Sequence, residues 1–257
     1  MIRRIWNAYC VELAKAARRK LTYLGPILVI IAIAAAPLLR PISRDNVSDY
    51  AFIAYVTPMA LNLLGLILLL TYTATLVASE LGSGTVCLML VRPLRRGEFV
   101  VAKLFLAMTY SICLALTTGL AAWTVTAAFG DLDGVGYGGE IVVANIDMAM
   151  AYGAGMGLVL LPLFAASAYA VMVSTLTRST GAAVASAIGI WILIDLIKHP
   201  LGVAPFVFST HIDAPWQTFT DLCNGIQGAW SPALIWTAAT SVVSFAVFTT
   251  IAVAALA

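Results

Sequence analysis

Charge is what this sequence has least of. Only 10% of its 257 residues are Asp, Glu, Lys or Arg, against 62% that are hydrophobic. No water-soluble core absorbs that proportion, so an ordinary soluble enzyme or binding domain is excluded. The formal net charge of +2 leaves no basic surplus to neutralise a phosphate backbone, and no nucleic-acid partner is expected. Histidine is nearly absent: His199 and His211 have only Asp213 close by in sequence, too few ligands for a metal site. Cys10, Cys87, Cys113 and Cys223 form no C-x-x-C and fall on both predicted sides of a membrane, so no disulfide framework follows. No Gly-x-x-x-x-Gly-Lys-Ser/Thr occurs, which removes a nucleotide hydrolase built into the chain. Neither Gly-x-Ser-x-Gly nor His-Glu-x-x-His is present, so no catalytic residue, metal or cofactor of its own is expected.

What the sequence has is apolar runs, and these define an all-α polytopic membrane protein, a single transmembrane domain over residues 1–257. Residues 1–20 are too polar to cross. Ile2, Ile5, Trp6, Tyr9, Leu13 and Ala16 follow the rhythm of one helix face, with Arg3, Arg4, Lys15, Arg18 and Arg19 on the other, and no leader cleavage site follows. The pattern predicts an amphipathic elbow helix in the headgroup layer. Six spans are predicted at 21–39, 52–78, 99–129, 148–176, 181–197 and 233–256. Pro58 and Gly65 are expected to kink the second, and Glu98 and Lys103 are expected to reach water from the first turns of the third. Residues 198–232 lie outside any span yet are rich in Leu, Val, Phe and Trp, which predicts short helices dipping back into the membrane surface.

Six spans put both ends of the chain on one side, and the charges say which. Lys and Arg at 3, 4, 15, 18, 19, 20, 92, 95, 96, 103 and 178 share that side, against 40, 44 and 198 opposite. The positive-inside rule makes the termini and the loop at 80–98 cytoplasmic. Inside the spans Asp195 is the one acid, and Lys198 three residues on predicts a local ion pair near the outer end of the fifth span. Gly153, Gly155 and Gly157, then Gly181, Ala185 and Gly189, are small enough to let helices approach closely, within a subunit or between two subunits, and for the fourth span packing within the subunit is preferred.

The loop between the second and third spans organises the rest. Gly82 and Gly84 permit a turn, Ser83 or Thr85 can cap a helix, residues 86–91 form one or two apolar turns, Pro93 ends them, and Arg92, Arg95 and Arg96 give a basic rim. Its pattern is Ala-x-Glu-x-x-x-Gly-Thr, seven residues, then Pro-x-x-Arg, from Ala78 to Arg96. With the helix before the first span and the six-span plan, the chain resembles the membrane subunits of type 2 ATP-binding-cassette exporters over nearly its whole length.

That resemblance implies a coupling helix resting in a cleft of a separate cytoplasmic ATPase, with Glu80, Gly84, Thr85, Leu88, Arg92, Pro93, Arg95 and Arg96 as contact residues. It implies two ATPase copies that bind ATP and Mg, a second permease copy forming a homodimer, and a bacterial inner membrane surrounding them. It reads 198–232 as re-entrant helices forming an outer gate, with Phe206, Phe208 and Trp216 in it, and export by alternating access or lateral extrusion. The apolar interior favours a lipid-like or hydrophobic cargo. Two rivals are a self-sufficient carrier or channel, using Thr71, Thr73, Thr75, Thr117, Thr118, Ser167 and Ser174 as a polar path, and a membrane-embedded enzyme using Asp131, Asp133, Glu140 and Asp147.

Overall fold

A computed structural model describes residues 2–39, 42, 48–82, 96–130, 132–137, 140–226 and 230–256. Helix α1 is Ile2–Ala16 and α2, the first span, is Lys20–Leu39. The second span is α3 (Tyr50–Met59), a π-helical turn at Ala60–Gly65, and α4 (Leu66–Gly82). The third span is α5 (Arg96–Phe129), the fourth α6 (Asn145–Leu176), the fifth α7 (Thr180–Ile197) and the sixth α9 (Trp230–Leu256). Between fifth and sixth come 3-10 turns at Ala204–Phe206 and Phe208–Ile212, then α8 (Ala214–Cys223). The described residues are 86% helical, and among them six helical segments are long and apolar enough to cross a membrane.

The π-turn falls between Pro58 and Gly65, where the sequence predicts a kink. Proline has no N–H to give and its ring crowds the preceding turn, and here the backbone widens locally without breaking the span. Within this all-α fold the loop after the third span forms a small hairpin that the sequence reading did not expect. Val135–Tyr137 (β1) and Glu140–Val143 (β2) pair antiparallel with a bulge between Val135 and Gly136. Gly134 enters the hairpin at φ +92°, a conformation that L side chains rarely adopt, and a Cβ there would meet the Val143 carbonyl at 2.6 Å.

The fourth span is the hub, packed against the second, third, fifth and sixth. Ala165, Ala166, Ala168 and Ala170 are buried along it, and such short side chains let backbones come close. Where they do, hydroxyls bridge the helices. Ser174 Oγ accepts from the Val77 and Ala78 amides at 3.2 and 2.8 Å, Ser111 meets Ser167 at 2.6 Å, and Tyr169 donates to the Ala187 carbonyl at 3.0 Å. Bonds of this kind average about 0.6 kcal/mol each in a bilayer, so packing supplies most of the adhesion.

The expected glycine contacts are corrected. Gly153 and Gly157 have nothing within 4 Å of where a Cβ would stand, and only Gly155 is covered, by Trp216 and Pro215. In the fifth span Gly189 is likewise open and Ala185 exposed, while Ala183 and Ala187 face inward. Spacing identified small residues but not their phase around the helix. The close approach lies instead in the first span, where a Cβ on Gly25 would stand 2.0 Å from the Tyr110 hydroxyl oxygen. Tyr110 is stacked on Tyr72 at 3.9 Å between ring centres and cannot swing aside cheaply. Gly25→Ala is therefore expected to cost about 1–3 kcal/mol as an overpacked contact. Gly157→Ala should cost almost nothing, and thermal unfolding of the two variants in detergent compares them directly.

Candidate functional site

At one end of the bundle, α1, the end of α4 and the start of α5 converge on a lysine. Lys103 is buried, its amine donating to Glu80 Oε1 at 2.7 Å and to Glu12 Oε2, with the Phe99 ring 5.4 Å away. Lys15 adds a second cation, 2.6 Å from Glu12 Oε1 and 3.8 Å from Glu80 Oε1. This corrects the expectation that Lys103 and Glu98 reach water, since Glu98 is buried as well. Helix α1 lies across the third span, joined also by the Tyr9 and Thr109 hydroxyls at 2.8 Å, and it covers the turns that would otherwise be wet.

The chemistry is a charge clamp. Burying an ammonium costs several kcal/mol unless carboxylates receive it, and here two do, from different helices. Burial pushes the Glu12 carboxyl pKa up, but the positive Lys103, and after it Lys15, outweigh that and hold it below the usual carboxylate range. Three segments distant in sequence are thereby fastened at the root of residues 83–95. The turn after the fourth span closes the same end, because a Cβ on Gly82 would meet the Arg178 carbonyl at 2.8 Å. Of the sequence-derived contact residues, Glu80 is thus placed inside the clamp. Gly84, Thr85, Leu88, Arg92, Pro93 and Arg95 lie outside the described residues, as does the Arg96 side chain, although Arg96 opens α5.

At the opposite end the segment after the fifth span folds over the bundle. The expected ion pair forms, with Lys198 Nζ 2.5 Å from Asp195 Oδ1, and Ser209 donates to the same oxygen at 3.0 Å. Asn62, in the π-turn, donates to Asp213 Oδ2 at 2.7 Å and so ties the second span to this segment. Burial raises the Asp213 pKa above the carboxylate range, with Lys198 opposing. His211 is buried with Nε2 2.9 Å from the Pro205 carbonyl oxygen, and among the described residues no cluster of His, Cys, Asp or Glu is suited to a metal ion.

The three proposed gate aromatics are not one group. Phe206 and Phe208 border the same cavity, Phe206 exposed and Phe208 buried against Tyr169 and Phe248. Trp216 is buried in a second cluster with Tyr152 and Phe219, over Gly155 of the fourth span. Sequence reasoning missed Asn62 and Glu12 altogether. A carboxylate at position 12 facing an otherwise unexplained lysine at the start of a span was the available signal for the second.

A family model described as "ABC-2 family transporter protein" matches residues 10–194. No curated protein matches the chain.

Proposed function

The chain belongs to the ABC-2 family of transporter proteins, and on that footing we propose that it is a permease worked by a separate ATP-hydrolysing subunit seated on residues 80–96. It is a multi-pass membrane protein and the membrane subunit of an ABC transporter. In our reading two copies pair with two ATPases, both termini and the loop at 80–98 face the cytoplasm, and the membrane is a bacterial inner membrane. ATP and Mg bind to the partner, and the cargo is a lipid-like or hydrophobic molecule moved outward.

The observation that carries this reading is the Lys103 clamp. A loop can transmit force only if its ends are anchored, and Glu12, Glu80 and Lys103 bind three helices together near Gly82 and Arg96, the described residues on either side of that loop. Closure of the ATPases on ATP would then move α1 and the cytoplasmic ends of the second and third spans as one body. The partner's differential affinity for nucleotide in the two conformations supplies the bias.

The self-sufficient carrier loses its polar path. Thr71, Thr73, Thr75, Thr117 and Thr118 each donate to a carbonyl three or four residues back on their own helix, and Ser167 and Ser174 are used in helix contacts. Vesicles holding the permease with its ATPase should move a fluorescent amphiphile only when both subunits and ATP are present. Equal flux from the permease alone would favour the carrier.

A further inference from the structure

An apolar cavity of about 320 Å³ lies among the fourth, fifth and sixth spans and the outer segment, bordered by Tyr169, Trp191, Ile194, Phe206, Phe208 and Phe248. Its volume is at the lower end of the range for small-molecule sites. The fifth and sixth spans each bury only 17% of their spanning windows, against 56% to 61% in the second to fourth. The cavity thus sits between two helices whose other faces the rest of the chain leaves largely uncovered, the side from which a membrane lipid would enter.

Polar groups lie just beyond its lining residues. Ile190, Trp191 and Ile194 border the cavity from the fifth span, and Lys198 continues that face one turn on, about 6 Å farther along the axis. Ser209 reaches the same place from the outer segment, directly after Phe208. Lys198, Asp195 and, within electrostatic reach of both, Asp213 form an ion cluster there, and the charges of Lys198 and Asp195 are unequally available. The Lys198 side chain is 9% exposed and turned to Asp195 Oδ1 and, at 3.4 Å, to Ser209 Oγ. The Asp195 side chain is 42% exposed, with Oδ1 occupied by Lys198 and Ser209. Among the contacts of the described residues, the Asp195 oxygen left to receive a further donor is therefore Oδ2.

We propose that this cavity binds one acyl chain of a lipid whose headgroup carries a primary ammonium, the ammonium meeting Asp195 Oδ2. Aromatic walls hold the chain by burial of apolar surface, and the carboxylate selects the headgroup. An anionic headgroup would instead face a carboxylate whose lysine is already engaged. The inference needs no partner subunit and holds whether the lipid is cargo or a resident molecule.

The test uses the purified full chain in detergent, titrated with phosphatidylethanolamine or phosphatidylglycerol bearing the same brominated chains. The Trp191 signal is isolated as the fluorescence difference between the wild type and Trp191→Phe. Half-quenching by the ethanolamine lipid is expected at a concentration about five-fold below that for the glycerol lipid, the scale of one partly exposed charge contact. In Asp195→Asn the two lipids should become equal, and when Ser244, which lines the cavity from the sixth span, is enlarged in Ser244→Phe, Trp191 quenching by both should disappear. Equal half-quenching in the wild type overturns the headgroup assignment without reference to any variant. Failure of both lipids to quench Trp191, or quenching that survives in Ser244→Phe, overturns the cavity as the site.

Discussion

Lys103→Met lowers the stability of the chain by about 3–5 kcal/mol, the cost of leaving buried carboxylates without their cation. The side chains are close in length, so little packing is lost and the effect is electrostatic. Glu12 and Glu80 then lose their shared buried cation, while Lys15, half-buried, stays beside both. A variant carrying Glu12→Gln and Glu80→Gln as well should recover much of the loss, because no unpaired charge remains buried. The clamp also predicts an acid limb. A carboxylate whose folded pKa is depressed contributes stability that is fully present above its unfolded value and is lost as pH falls through its folded one. For Glu12 the loss begins near its ordinary value of 4.5 and continues below it. Unfolding temperatures of the wild type should therefore fall more steeply in acid than those of Glu12→Gln, which starts lower at neutral pH. Parallel curves would remove Glu12 from the clamp's energetics.

Reversing Arg95 and Arg96 to Glu together should abolish transport while leaving the unfolding temperature of the isolated permease unchanged. Truncating one buried charged contact at an interface costs about 2–5 kcal/mol, and two reversals add repulsion, so binding of the ATPase should weaken at least about thirty-fold. The readout is co-purification of the ATPase with a tagged permease, together with ATP hydrolysis in reconstituted vesicles. The contrast with Lys103→Met is the informative part: that variant damages the anchor, whereas the arginine reversals damage only the grip. If the reversed protein retains its ATPase and its flux, the basic rim only sets topology.

Much of the architecture was legible because a bilayer constrains a sequence severely. Every backbone amide must be satisfied within the span, so apolar runs become helices, and the predicted spans fall within a few residues of the observed ones. Asp195 and Lys198 were legible for a local reason: three residues apart on one helix, they meet without help from the rest of the fold. What escaped depended on partners far away in the chain. Lys103 looked like the wet end of a helix until α1, ninety residues earlier, was laid over it. Gly153 and Gly157 looked like contacts because spacing gives a stripe but not the direction in which it points. Asn62 carried no signal in a run of leucines, and its role appears only when the π-turn and the returning outer segment bring it to Asp213. The aromatic residues of 198–232 were legible as a membrane-seeking group, but their division into a cavity wall and a separate buried cluster was set by the fourth span beneath them.

The account rests on a motor outside the membrane acting on residues 83–96. Its most direct test is a photo-crosslinking amino acid at position 88, in membranes from cells producing the permease and its ATPase. The account predicts an adduct of permease and ATPase that forms before detergent is added and is lost in the Arg95→Glu, Arg96→Glu background. Adducts to lipid alone, or to a protein on the opposite face of the membrane, would contradict it.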